Sequence, residues 1–206
     1  SHFLSSPITA ITVTNGKTTL TTLITHALNK LGRKAQSAGN VGYSLSQLIA
    51  ESVSLNSRVI LEVSSFQSRG LSCLEAENGI WTNFAEDHLD YHGSLEDYFL
   101  SKLSLISKCK KEIFVGRTVQ SWAKRLSIKL PEQTIVVPHS QELVYSKNHD
   151  HFLNSWPQRE NFSLALAYAR SLDIDDADFI EACEDYLPEP TQNWLPSMSP
   201  VLPQSS

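Results

Sequence analysis

The sequence predicts an α/β fold, a mostly parallel sheet of the phosphate-loop type flanked by helices. Three observations carry that expectation. Short β-branched and apolar runs recur along the chain with the length of buried strands. Segments with apolar residues at helical spacing alternate with them, which is the pattern of strand–helix–strand units. The first strand passes through Gly16-Lys17-Thr18 straight into a helix, the context in which backbone N–H groups and a positive helix end face phosphates.

The elements follow in order. Ile8 to Val13 reads as the first strand. Leu20, Leu23, Ile24, Ala27, Leu28 and Leu31 then fall on one helical face, and Gly32 closes that helix. In a phosphate loop the Lys17 ammonium reaches the terminal phosphates and the Thr18 hydroxyl takes Mg²⁺. The standard spacing also asks for a Gly five residues before Gly16, where Ile11 stands, so an ordinary strand-to-helix turn with an exposed Lys is the alternative. Residues 35–42 hold two glycines and an Asn, which mark a loop, and Leu45, Leu48 and Ile49 suit a short helix.

Arg58 to Val63 is a second buried strand with Glu62 at its carboxyl end, where open α/β sheets place ligands. A carboxylate there is costly unless paired or metal-bound; beside the phosphate loop it is a candidate Mg²⁺ ligand, and otherwise a surface strand end. Gly79 to Phe84 reads as a third strand running into an acidic, histidine-bearing turn, Ala85 to Gly93. Ser94 is placed to cap a helix whose apolar face holds Tyr98, Phe99, Leu103 and Ile106. Glu112–Val115 and Thr134–Val137 read as further strands, with residues 122–126 helical between them. His139, His149 and His151 fit no standard ligand spacing and read as loop residues. Residues 161–172 are helical with Ala165, Leu166 and Ala169 inward, and residues 175–186 form a last helix.

Composition narrows the function classes. The 206 residues suffice for one sizeable domain, and 41% hydrophobic with 19% charged content is globular. A net charge of −5 without a basic run argues against a nucleic-acid surface. Three widely spaced cysteines, Cys73, Cys109 and Cys183, suit reduced buried thiols in the cytoplasm better than a disulfide framework or a zinc site. No apolar run reaches membrane-spanning length, so membrane insertion is not expected. The one methionine is Met198, so the chain reads as a piece of a longer protein or a processed one. Residues 1–187 read as one domain. Residues 188–206 are Pro- and Ser-rich without periodicity and read as a disordered or out-of-frame tail.

Three strings resemble the Mur ligases. Val13-Thr14-Asn15-Gly16-Lys17-Thr18-Thr19 is similar to their ATP loop, Gly-Thr-Asn-Gly-Lys-Thr/Ser-Thr, and departs from it at Val13. Glu62-Val63-Ser64-Ser65-Phe66-Gln67 looks like the signature of the D-glutamate-adding branch; the diaminopimelate- and lysine-adding branch usually has Ser-Ser-His. Asn83 with Asp87-His88-Leu89-Asp90-Tyr91-His92-Gly93 is similar to the family's Asn-x-x-x-Asp-His-Leu/Met-Asp string. The resemblance covers residues 7–187, the middle ATPase domain of a three-domain ligase.

What the resemblance implies is specific. Thr14, Asn15, Gly16, Lys17, Thr18 and Thr19 would hold ATP, with Asn161 at the nucleotide. Asn161 is what remains of the family's Gly-x-His-Asn-x-x-Asn-Ala, and a helix N-cap is its alternative role. Asn40, Ser64 and Asn83 would face substrate. Thr18 and Glu62 would hold one Mg²⁺, with His88 and Lys102 at a second. Lys102 matches the family's carbamylated lysine, although a lone helical Lys is ordinarily solvated. Lys17, His88 and Lys102 would carry catalysis. The complete enzyme would be a monomer in the cytoplasm, joining D-glutamate to the nucleotide sugar UDP-N-acetylmuramoyl-L-alanine through an acyl phosphate. The family's Arg after the last helix is replaced in Glu189-Pro190-Thr191-Gln192-Asn193. A fragment inactive alone is therefore expected, with a non-catalytic nucleotide-binding remnant or a folylpolyglutamate synthetase-like ligase as alternatives.

Overall fold

The computed structural model describes residues 6–14, 16–39, 57–64, 75–86, 93–138, 152–155 and 158–188. Six parallel strands form its sheet: β1 (Ile8–Thr12), β2 (Ala35–Gly39), β3 (Arg58–Glu62), β4 (Asn78–Trp81), β5 (Ile113–Val115) and β6 (Thr134–Val136). Among the described residues five α-helices accompany them, α1 (Lys17–Lys30), α2 (Leu95–Ile106), α3 (Arg117–Arg125), α4 (Gln158–Ser171) and α5 (Asp176–Cys183), with a 3₁₀ turn at Phe152–Asn154. The spatial order is β2-β3-β1-β4-β5-β6. β1 is therefore central, with β3 on one side and β4 on the other. The connections reverse direction there, which is where an open α/β sheet opens a crevice at its strands' carboxyl ends.

The period of two along β1 decides what lies on each face. Ile11 and Val13 enter a core with Leu20, Leu23 and Ile24 of α1, Phe162 and Ala165 of α4, and Phe179 of α5. Ile8 and Ala10 enter the opposite core, with Trp81, Tyr98 and Phe99, Val119 and Ala123. On the α4 side Thr9 Oγ1 meets Tyr168 Oη at 2.6 Å, pinning α4 to the sheet with both side chains fully buried. Aromatic rings consolidate the α2 side: Trp81 and Phe99 lie 4.6 Å apart between centroids, and Phe84 and Tyr98 5.0 Å.

Helix ends follow local chemistry. Gly16 starts α1 in the left-handed region at φ 89°, and past its end the Arg33 N–H returns to the Leu28 carbonyl at 2.8 Å. Ser94 caps α2 by accepting from the Asp97 N–H at 3.0 Å, and Asp175 caps α5 through the Ala177 N–H.

The α/β class and the alternation of elements agree with the sequence. Two stretches differ: the helix expected over residues 122–126 runs from Arg117 to Arg125, and residues 35–39, expected as loop, form strand β2. Glycine and asparagine signal turns locally, but Ala35 to Gly39 pairs in register with Arg58 to Glu62, and that ladder overrides weak propensity. The expected helix around Leu45, Leu48 and Ile49, the loop histidines His139, His149 and His151, and residues 189–206 lie outside the described residues.

Candidate nucleotide site

The carboxyl ends of β1, β3, β4 and β5 gather the chemistry. After Thr12 the chain leaves the sheet, and Val13 remains fully buried in the α1-side core. This explains how a β-branched residue occupies the start of the loop: its side chain continues the β1 alternation and packs instead of facing a ligand. Thr14, also buried, donates its N–H to Asn83 Oδ1 at 3.1 Å and accepts the Ala85 N–H on Oγ1 at 3.3 Å. The loop after β1 is thus tied to the segment after β4.

Two lysines converge on one carbonyl oxygen. Lys17 Nζ donates to the Val13 carbonyl at 3.2 Å and the Thr14 carbonyl at 3.4 Å. Lys102 Nζ reaches the same Val13 carbonyl at 2.7 Å, with Thr12 Oγ1 at 3.5 Å. Lys102 is only 1% exposed. Position 102 shares the inward face of α2 with Tyr98, Phe99, Leu105 and Ile106, so its stem threads the core, and Nζ lies 4.9 Å from the Tyr98 ring centroid. The ordinary expectation for a helical lysine, a solvated surface cation, is therefore wrong here. Helical periodicity alone could have shown position 102 on the buried stripe.

Across the crevice Thr18 Oγ1 donates to Glu62 Oε2 at 3.3 Å. Glu62 is 2% exposed, which removes its reading as a surface strand end. A hydroxyl and a carboxylate are hard oxygen donors of the type Mg²⁺ takes, so these residues fit that ion.

Asn161 lies within the first turn of α4, not at its N-cap. It packs on the loop so tightly that a Cβ on Gly16 would come 2.7 Å from Asn161 Nδ2. Nδ2 donates to Gln158 Oε1 at 3.1 Å, while the buried Oδ1 has no partner among the described residues. Thr19 lies on α1, where its carbonyl accepts from Tyr186 Oη at 3.3 Å. Ser64 follows Glu62 by two residues and is half-buried. Asn15, Asn40 and His88 lie outside the described residues, as do Asp87 and Asp90. Glu160 escaped the sequence reading, because an acid in a first turn is usually a solvated dipole partner. Here it is 6% exposed, and burial pushes its carboxyl up to about 6.

Comparison with known proteins places the chain in a family. The model of the Mur ligase middle domain matches residues 11–167. The UDP-N-acetylmuramoylalanine–D-glutamate ligase of Prochlorococcus marinus is 31% identical over 205 residues, covering 87% of this chain and 43% of that protein. That of Gloeothece citriformis is 42% identical over 106 residues, 52% of this chain and 23% of that protein. The chain thus spans less than half the length of these relatives. A solved UDP-N-acetylmuramoyl-L-alanyl-D-glutamate–2,6-diaminopimelate ligase superposes with a TM-score of 0.68 at 19% identity, over 90% of this chain and 47% of that one. At that identity the likeness speaks for the fold alone. With a family match over most of its length, ending inside α4 beyond Asn161, the chain belongs to the Mur ligase middle-domain family.

Proposed function

We propose that this chain is the ATP-binding part of a ligase that adds D-glutamate to UDP-N-acetylmuramoyl-L-alanine in peptidoglycan synthesis. The observation that carries the reading is the approach of Thr18 to Glu62 beside the lysine-lined loop. In such a ligase ATP phosphorylates the substrate carboxylate, and the incoming amine then displaces phosphate to leave an amide. Mg²⁺, when bound, offsets charge on the transferring phosphoryl group. Thr18 and Glu62 would hold it. Lys17 would exchange the Val13 and Thr14 carbonyls for phosphate oxygens.

Lys102 fits the carbamate reading on physical grounds. Two ammonium groups on one carbonyl oxygen repel each other. Carbamylation makes Lys102 an anion beside the Lys17 cation, while the remaining N–H still donates to Val13. His88 would share a second Mg²⁺ with it. Asn40, Ser64 and Asn83 would line the substrate side, and Asn15 and Thr19 would complete the ATP loop. The phenylalanine and glutamine of Ser64-Ser65-Phe66-Gln67 favour D-glutamate as the added amino acid.

The test is a substrate panel with the complete enzyme. D-glutamate is expected to support ADP release with UDP-N-acetylmuramoyl-L-alanine, and diaminopimelate, lysine and folate acceptors are not. Turnover with folate and L-glutamate instead would contradict the reading.

A further inference from the structure

The loop after β1 is steadied from the side by a tryptophan whose apolar surroundings alone do not call for one. Trp81 ends β4 and, by the alternation of that strand, points away from Ile80 into the α2-side core. Its ring is fully buried against Phe99, 4.6 Å between centroids, and meets Phe84 edge-on at 5.9 Å. A smaller apolar ring could supply the same kind of burial. What the indole adds is a buried N–H, and Nε1 donates it to the Asn83 carbonyl at 3.0 Å.

Asn83 is the residue that grips the loop. The Thr14 N–H is shared between Asn83 Oδ1 at 3.1 Å and the Asn83 carbonyl at 3.4 Å, so the oxygen that Trp81 fixes is itself one of the acceptors. Beyond Phe84 the Ala85 N–H returns to Thr14 Oγ1 at 3.3 Å. The Thr14 N–H belongs to the same peptide unit as the Val13 carbonyl, which takes Lys17 and Lys102. In a planar trans peptide the N–H and C=O point in opposite directions. Asn83 on one side therefore sets where the carbonyl, and with it the two ammonium groups, stands on the other. Phe99, against which Trp81 packs, lies one turn before Lys102 on the buried face of α2. The indole thus touches both supports of the lysine pair. We propose that Trp81 is a positioning residue: through Asn83 it fixes the Val13–Thr14 peptide and so holds Lys17 and Lys102 in place for the incoming nucleotide. This rests on the ATP reading above for what the lysines meet.

Calorimetric titration of the 206-residue chain with Mg-ATP compares wild type, Trp81→Phe, Asn83→Ala and the double variant. Each single change is expected to weaken Mg-ATP by about 10-fold, the effect of one lost hydrogen bond. The double variant should bind no more weakly than the weaker single one, because both changes act on one peptide. A purely structural Trp81 would leave the affinity unchanged or add its loss in full to that of Asn83→Ala, and either result overturns the proposal. Hydrogen exchange without nucleotide separates it from the ATP reading. Trp81→Phe should raise exchange of the Thr14 N–H by about 10-fold or more relative to the amides of the β2–β3 ladder, which report any general loss of stability. An equal change at both places also overturns it. Benzothienylalanine at position 81 keeps the bicyclic shape and replaces only the N–H by sulfur, so it gives the same readings where Trp81→Phe fails to fold. If wild type does not bind Mg-ATP while Thr14 exchange responds as expected, the nucleotide reading falls and the hold of Trp81 on the loop stands.

Discussion

Single side chains set the character of this crevice. Glu160 gains no partner among the described residues and loses most of its water, so burial pushes its carboxyl up to about 6 from the ordinary 4.5. The sign follows from linkage. An acid whose folded pKa is raised opposes folding once it ionises, so the penalty is absent below about pH 4.5, grows between there and about pH 6, and stays constant above. Its size is on the order of 1–2 kcal/mol. Glu160→Gln should therefore be more stable than wild type at pH 7.5 and show no gain at pH 4. Thermal melts at the two pH values check this; a gain independent of pH would mean the carboxyl is not the cause. Val13 makes the opposite point. Restoring the family's Gly would remove a buried side chain and add backbone freedom, so Val13→Gly should lose on the order of 3 kcal/mol by denaturant unfolding. A fully stable Val13→Gly would show that the loop, not the core, determines this position.

At the scale of elements, contacts differ sharply in weight. The Thr9–Tyr168 hydrogen bond ties α4 to β1 deep inside the protein, and α4 carries Glu160 and Asn161. Tyr168→Phe strands a buried hydroxyl and should reduce stability by about 1–3 kcal/mol. The Arg170–Asp176 pair between α4 and α5 is bidentate at 2.8 and 2.6 Å but half-exposed, so Arg170→Ala should cost under about 1 kcal/mol. Urea unfolding of both variants ranks them, and a larger loss for Arg170→Ala would contradict this account. The elements themselves were largely legible in the sequence. Ile8 to Val13 and Arg58 to Val63 announce strands through their composition, and Ser94 announces a helix start. β2 was not legible, because Ala35-Gln36-Ser37-Ala38-Gly39 owes its strand to the ladder with β3 and not to its own residues. Nor was Glu160, since the glycine and threonine backbone that surrounds it comes from strands far away in sequence.

For the whole molecule, the sheet order places four loops on one crevice, so residues separated by up to about 150 positions act together at the central strand. The residues proposed for the phosphate loop could be nominated from the chain because they are contiguous, from Thr14 to Thr19. The approach of Lys102 to Val13 and of Thr18 to Glu62 depends on tertiary packing. Among the described residues no helix is long and apolar enough to cross a membrane. The central claim is that this crevice binds a magnesium nucleotide through the loop after β1. Its most direct test is calorimetric titration of the chain with ATP in the presence and absence of Mg²⁺, repeated with Lys17→Ala and Glu62→Gln. The account predicts Mg²⁺-dependent ATP binding that falls at least about 10-fold in each variant, with the fold retained. Binding that ignores both Mg²⁺ and the two substitutions would contradict it.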